Sequence, residues 1–518
     1  MKHRIKLLSS YYKYNNLLKK ISQETLNDNG YILFNTIRQY TVQMHIEYFM
    51  AFLLAKKGHN IIVLLDDGVL NHWDSVHANN IQGAFTPFKS NFYKKLYTKL
   101  ISRFIQLIYK HKLIKTIYLS DILYESKKIT VNNLKYSKIS HDIAKSSSRR
   151  YTSELDFWSD YTNQDYFKKS YENCEIFVSV THFLLRKYQI KKLITSHGIY
   201  STWGMIYEIC KSENIPCLIY SELIYREQFM LLADSPHQKL ADSSDWRNIL
   251  DSNNFELKEN MEEKAVAFLD KRVSYKGDDS KYYFNDYDLQ DIQIKRKDNC
   301  IVYGMFPNIV WDGDIEEWHI IFDGILDWVL KTIKIIRDTD DILVIRCHPS
   351  ESKLVTWAAG LEDLIRASIK DINEIDNVII ISADFDLNIY KFVEDQIDIG
   401  LVYDGMIGME MVHLNKPVIT AGNGRYAGSE FSYEPKNFHE YTNLIRQPHK
   451  TIKDFKDNLF IKKQRLNRFI YWYLYEKSYK LPILSKKDFF GINFEELCIS
   501  DIDNSNEDLQ RTINFLER

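Results

Sequence analysis

Apolar residues in this chain gather in short unbroken runs rather than in strict alternation. From Tyr31 the order is YILFNT, a polar turn, an amphipathic stretch from about Met44 to Lys56, and then GHNIIVLLDDG, a second run introduced by glycine. Runs of this kind are strands covered on both faces, so the segment predicts a β-α-β opening of a parallel sheet. KKLITSHGIYSTWGMIYEICKSENIPCLIYSE repeats the pattern, with Asn214-Ile215-Pro216 leading into its last strand, and carries the first sheet to about residue 222. Between Ser221 and Asn299 the chain turns polar: ADSSD, DSNN and KGDDSKYYFNDYD interrupt one helical stretch near Glu262 to Arg272, which reads as connection and linker. NCIVYGMF, DILVIRCHP, NVIIIS, DIGLVYDG and KPVITAG then alternate with helical stretches and predict a second parallel sheet. The tail from about Asp454 to Tyr479 predicts one long aromatic and basic helix.

The expected architecture is α/β, a pair of doubly wound parallel-sheet (Rossmann-like) domains over residues 1–290 and 295–450, with a helical segment over 451–518. A chain of 518 residues and 61.6 kDa is too long for one core, which agrees with two domains. Charge alters little: 68 Lys and Arg against 70 Asp and Glu give no global field that selects nucleic acid. The six cysteines show no CxxC spacing, which argues against a zinc site or a disulfide scaffold and fits a reducing compartment. The first residues, MKHRIKLLSSYYKYNNLLKK, break their apolar stretch with polar residues and are not expected to form a signal peptide. No uncharged apolar run reaches the roughly 18 residues that read as a membrane span. The expected location is the cytoplasm.

Parallel sheets bind ligands beyond the carboxyl ends of their strands, so polar residues just after strands are the candidates for chemistry. In DIGLVYDGMIGMEMVHLNKPVITAG a strand ends at Tyr403, Asp404 and Gly405 make a turn, and a helix follows whose first N–H groups suit a phosphate. Glu410 on that helix can accept from ribose hydroxyls; Gly405 and Gly408 equally suit a turn and close packing. Asp404 sits badly beside a phosphate unless a cation or base intervenes. In LVIRCHPSE a strand delivers Arg346, His348 and Glu351 to the same edge, and Pro349 ends the ladder and exposes His348, a catalytic candidate that can donate to a phosphate or neutralise a departing one, or else a packed, hydrogen-bonded histidine. Arg425, after the last strand, can pair with a carboxylate or phosphate.

The pieces MFPNIVWDGD, DWVLKTI, VIRCHPSE, DFDLNIY and VYDGMIGMEMVHLNKPVITAGNGRY, in this order, resemble the capsule polysaccharide biosynthesis glycosyltransferases, a GT-B group with an HP motif. The resemblance spans roughly residues 300 to 430, and is weaker at SHGIYSTWG and LLDDG. It implies two domains facing a central cleft, a nucleotide-sugar donor held by His348, Gly405, Gly408 and Glu410, and a glycan acceptor that is lipid-linked. Many relatives carry Ser or Thr where this chain has Asp404-Gly405, which weakens the phosphate contact there. The donor is a substrate, and no cofactor or metal is expected; Asp312-Gly313-Asp314 reads as a solvated turn.

The N-terminal half then supplies the acceptor side. Asp66-Asp67-Gly68 ends the second strand; adjacent residues point to opposite sides, and likeness to the paired motifs of bacterial sialyltransferases and related cytidine-nucleotide enzymes selects Asp67 as base of an inverting transfer and leans the donor toward cytidine. DDG is also an ordinary turn signal. His197-Gly198 is a second strand-end candidate for catalysis, with Tyr200, Ser201 and Trp203 either lining a sugar pocket or forming a buried capping loop. Arg38, His45 and Glu47 rank below it. NFYKKLYTKLISRFIQLIYKHKLIK, residues 91–115, is a basic amphipathic helix that suits either an anionic membrane surface or a core with solvated lysines. Transferases of cytidine-diphosphate alditols carry similar HP motifs and form the rival enzyme class, and a non-catalytic binding protein on the same fold is the third reading.

Overall fold

The computed structural model describes the chain except residues 1–15, 17, 20, 22, 25–29, 38–40, 71–90, 130–132, 150–164, 224, 227–228, 243–257, 278–288, 311–314, 354–359 and 485–505. Arg38 and Asp312-Gly313-Asp314 therefore lie outside the described residues, as does most of the N-terminal segment. The chain forms two compact α/β units, each built on a largely or wholly parallel sheet in the Rossmann-like manner.

The first unit contains β1 (Tyr31–Thr36), α1 (Thr41–Lys56), β2 (Asn60–Leu65), α2 (Asn91–Ile108), β3 (Ile114–Tyr118), α3 (Leu119–Ser126), α4 (Ser137–Arg149), α5 (Asp165–Lys187), β4 (Ile190–Ser196), α6 (Gly204–Ser212), β5 (Cys217–Glu222) and β6 (Phe229–Ala233). Its sheet has the order β12-β6-β5-β4-β1-β2-β3, where β12 is Ser478–Lys480. β1 and β2 read as unbroken apolar runs because both faces are covered. Phe34, Val63 and Leu65 pack with α1 on one face, and Leu33, Ile62 and Leu64 pack with α5 and α6 on the other. Two features depart from the expected pattern. The basic stretch 91–115 leaves the helix at Ile108 and enters β3, whose Ile114–Tyr118 pair in parallel with Ile61–Leu65. The sheet also continues past residue 222, because β6 and β12 add an antiparallel edge.

The second unit contains α7 (Lys258–Val273), β7 (Val302–Phe306), α8 (Ile325–Ile336), β8 (Ile342–Arg346), α9 (Ser350–Lys353), α10 (Leu361–Ser368), β9 (Val378–Ile381), α11 (Ile389–Gln396), β10 (Ile399–Val402), α12 (Met406–His413), β11 (Val418–Thr420), α13 (Phe438–Arg446), α14 (Pro448–Asp457) and α15 (Leu459–Tyr471). Its five strands run in parallel in the order β11-β10-β7-β8-β9. The tail is not one helix: Asn458, with φ −108° and ψ 11°, separates α14 from α15.

The division between units also differs from the boundaries at 290 and 451. Residues 238–476 form the body of the second unit, and 477–518 belong to the first. α7 joins the second unit because Arg272 pairs with Glu410 and His413 meets Asp270 at 2.8 Å. The last residues join the first unit through the 3.0 Å bond from Leu232 N to Lys477 O and through a final helix, α16 (Glu507–Glu517). Leu509, Ile513 and Leu516 of α16 enter the same core as α1, and Lys192 Nζ donates to Leu516 O at 2.7 Å. Leu516→Ala should therefore cost about 2–5 kcal/mol of unfolding free energy, read by urea denaturation, as for any fully buried leucine removed from a packed core.

Candidate functional site

In the second unit the carboxyl edge of the sheet gathers Asn308 after β7, His348 after β8, the Tyr403–Gly405 turn after β10 and the Gly422–Arg425 loop after β11. Asp404 is fully buried at the centre of this row. Its Oδ1 accepts from Arg425 N at 2.6 Å, its Oδ2 from Arg425 Nε at 3.0 Å, and its own N–H donates to Asn308 Oδ1 at 3.1 Å. Burial raises the pKa of Asp404 and Arg425 opposes that rise, so the cation that the turn required comes from within the chain. Arg425 is thus the counter-ion of Asp404 rather than a side chain turned to a phosphate. The latch leaves no room at Gly424, where an added Cβ would lie 2.1 Å from Asp404 Oδ1.

Gly405 is the residue before α12, and the first N–H groups of that helix face the same edge. Gly408 has a packing role: a Cβ there would come within 2.9 Å of the Tyr426 hydroxyl and 3.1 Å of Val402. Glu410, expected to meet a ribose, is engaged by Arg272. Its Oε1 receives the Arg272 Nε–H at 2.5 Å, and both residues are buried. Arg346 is likewise committed inside the fold, donating to the carbonyls of Cys347, Ser382 and Phe385 to fix the chain beyond β9. Glu351 accepts from Leu361 N at 3.1 Å at the start of α10, while its buried Oε1 has no hydrogen-bond partner among the described residues; burial lifts its carboxyl to about 7.

His348 is half-buried, and its Nδ1 accepts the Ser350 N–H at 3.2 Å. That bond places the proton of the neutral ring on Nε2, making the ring a hydrogen-bond donor at its far side. Sequence reasoning missed two residues here. Asn308 follows a strand and was open to the strand-end rule. His319, whose Nδ1 meets the Tyr403 hydroxyl at 2.8 Å, follows no strand and carried no such signal.

In the first unit both acidic residues after β2 are buried and engaged. Asp66 Oδ1 accepts from the N–H groups of Gly68, Val69 and Leu70 at 2.8–3.2 Å, and Gly68 takes the φ of 101° that this turn requires. Asp67 accepts from Ser120 N at 3.0 Å and Ser120 Oγ at 2.6 Å, and Lys99 Nζ lies 3.3 Å away. These bonds tie the end of β2 to the first turn of α3. Asp67 is therefore held as a structural acceptor, against its expected place as the base.

His197 is different. It follows β4 with φ 51°, in the left-handed region that non-glycine residues seldom occupy and that marks strain held by its surroundings. His197 N–H donates to Tyr220 O at 3.2 Å, its Nδ1 bonds Ser196 Oγ, and its ring stacks on Trp203 at 4.9 Å and 20°. Tyr200, Ser201 and Trp203 are buried, so they form the capping loop and not a pocket wall. His45 and Glu47 are buried on α1; burial pulls His45 down to about 4 and lifts Glu47 to about 8.

Asp404→Asn should leave the Arg425 guanidinium buried without its counter-charge. A loss of roughly 3–5 kcal/mol in unfolding free energy is expected by urea denaturation, whereas a loss below 1 kcal/mol would place the turn's stability elsewhere.

No family model and no curated protein matches the chain. Solved structures similar to it include Thermosulfurimonas dismutans KpsC, beta Kdo 2,7 transferase, at 12% identity over 59% of this chain and 83% of that one, TM-score 0.34. The beta Kdo 2,4 transferase of the same organism's KpsC is similar at 13% identity over 63% and 87%, TM-score 0.38. A UDP-GlcNAc 2-epimerase from Neisseria meningitidis, bound to UDP-GlcNAc, is similar at 11% identity over 85% and 96%, TM-score 0.25.

Proposed function

We propose that this protein is a glycosyltransferase of surface-polysaccharide assembly, moving a sugar from a nucleotide-sugar donor to a hydroxyl of a growing glycan. The observation that carries this is the row of hydrogen-bond donors on the carboxyl edge of the second unit. His348 presents Nε2–H, Gly405 opens α12 so that its first N–H groups face the edge, and the one buried carboxylate of the turn is neutralised by Arg425. Such an edge offers donors where a leaving diphosphate or monophosphate develops charge, with no metal required. The first unit takes the acceptor side, with His197 rather than Asp67 as the group that receives the acceptor proton. A direct displacement with His197 as base inverts the anomeric centre.

The acceptor is lipid-linked in this reading, and α2 is the part of the first unit that meets the membrane. Leu96, Leu100, Phe104 and Leu107 are 47, 58, 39 and 67% exposed and lie along one side of the helix. From residue 75 to residue 120 the chain has eight Lys or Arg and no Asp or Glu. An apolar stripe within a basic segment suits the surface of an anionic bilayer. The double variant Leu100→Asp, Leu107→Asp is expected to abolish co-sedimentation with vesicles of mixed neutral and anionic phospholipid. Equal sedimentation of variant and parent would remove the membrane contact from this reading.

Thermal melting of the purified chain with CMP, CDP, UDP and GDP tests the donor site, because a ligand of the native state raises Tm by mass action. The HP motif makes the cytidine nucleotides the first expectation. One nucleotide should raise Tm, and His348→Ala should abolish the shift; no shift with any of them would favour a non-catalytic binding protein. A phosphodiester in the product would instead identify an alditol-phosphate transferase.

A further inference from the structure

The second sheet reverses its direction of growth once. From β7 the chain steps to the neighbouring β8 and on to β9, then returns past β7 to lay down β10 and β11 on its other side. With right-handed crossovers the connections after β7 and β10 leave the sheet toward opposite faces, and the crevice between them is where an open parallel sheet takes its ligand. Asn308 stands at this crevice, two residues beyond the end of β7 at Phe306. Its strand lies between the two that carry His348 and Asp404 at their ends.

The backbone of Asp404 fixes which way the Asn308 amide is turned. Asp404 N–H donates to Asn308 Oδ1 at 3.1 Å, and turning the amide over would set Nδ2–H against that N–H, donor against donor. Nδ2 is therefore the end of the amide turned from Asp404. Asn308 is half-buried, and Nδ2 has no acceptor among the described residues. The carboxylate of the turn already takes Arg425 N and Arg425 Nε. Charge drawn from Oδ1 by the Asp404 N–H makes the Nδ2–H groups stronger donors. The same bond sets the amide's position against the start of α12, because Gly405, the residue after Asp404, opens that helix.

We infer that Asn308 binds the phosphate of the donor, giving its Nδ2–H groups to phosphoryl oxygens in the crevice between β7 and β10. The inference rests on the proposed transferase function and adds a residue to its donor site. Phosphoryl oxygens accept and do not donate, whereas a hydroxyl-bearing sugar also needs acceptors from the protein. Asp404, the carboxylate beside the amide, is spent on Arg425, so this part of the crevice supplies donors. A neutral amide held in place before the reaction gains in strength as charge builds on the departing phosphate, with no reorganisation needed at that moment.

The test is calorimetric titration of the full-length protein with CMP, CDP, UDP and GDP, each beside its nucleoside, and with inorganic pyrophosphate. In the parent one nucleotide should bind more tightly than its nucleoside. Asn308→Ala removes the amide without adding charge and should weaken that nucleotide and pyrophosphate about 10- to 100-fold, with the nucleoside unchanged. Asn308→Asp keeps an oxygen for the Asp404 N–H, so its Tm without ligand should match the parent's, and it should weaken the nucleotide at least as much. Should the alanine variant fail to fold, ¹⁵N NMR of the asparagine-labelled parent reads the contact directly. The side-chain amide signals lost in Asn308→Asp should move when the nucleotide is added and stay in place with the nucleoside. A folded alanine variant that binds the nucleotide as the parent does, an equal weakening of nucleotide and nucleoside, or amide signals unmoved by the nucleotide overturns the assignment. If pyrophosphate binding depends on Asn308 but the parent transfers no sugar, the functional reading fails and the phosphate site stands. If the parent transfers sugar and its nucleotide binding is indifferent to Asn308, the assignment alone fails. A parent that binds neither nucleotide nor pyrophosphate overturns both.

Discussion

A carboxylate withdrawn from water must be met by donors or by a cation, and in this protein that demand governs both strand-end regions. Strand ends in a parallel sheet deliver acidic residues to places that helices then cover. Asp66 meets three backbone N–H groups of its own turn, Asp67 meets Ser120 and Lys99, Asp404 meets Arg425 and Glu410 meets Arg272. Each partnership spends an acidic side chain on architecture, whereas some strand-end side chains are only half-buried. His348 and His197 are both of that kind.

Much of the fold was legible because unbroken apolar runs have one stable use in an α/β chain. YILFNT, NIIVLL, DILVIR and DIGLV became strands for that reason, and the positions of His197, His348 and Asp404 followed from the strand-end rule. What the local pattern did not hold was the identity of partners far away in sequence. Glu410 and Arg272 are 138 positions apart, and Glu47 and Tyr220 are 173 apart. A carboxylate beside a glycine therefore looked like a ligand for ribose when it was half of a buried ion pair. The same limit hid β12, whose three residues sit in an aromatic stretch of helical appearance and become a strand only because β6 offers an open edge.

Glycine shows the same contrast between local and distant causes. Gly68 is required by its own turn, since φ of 101° excludes a side chain. Gly424 is required by Asp404, twenty positions earlier, whose carboxylate fills the space a Cβ would need. Both residues read identically in the sequence, as polar-turn glycines. Only the second reports on how the edge of the sheet is kept electrically balanced.

The first unit's sheet is closed by residues 478–480, after the whole second unit has intervened in the chain. During synthesis, therefore, the unit that begins first is completed last. Until β12 arrives, β6 is a bare edge strand with unpaired backbone groups, open to association with another nascent chain. The second unit has all its strands before that moment and can fold while its predecessor waits. Slowing translation across the second unit would lengthen the period in which the bare edge is exposed, so the yield of native protein is tied to the speed at which β12 is delivered, and to whatever chaperone covers that edge meanwhile.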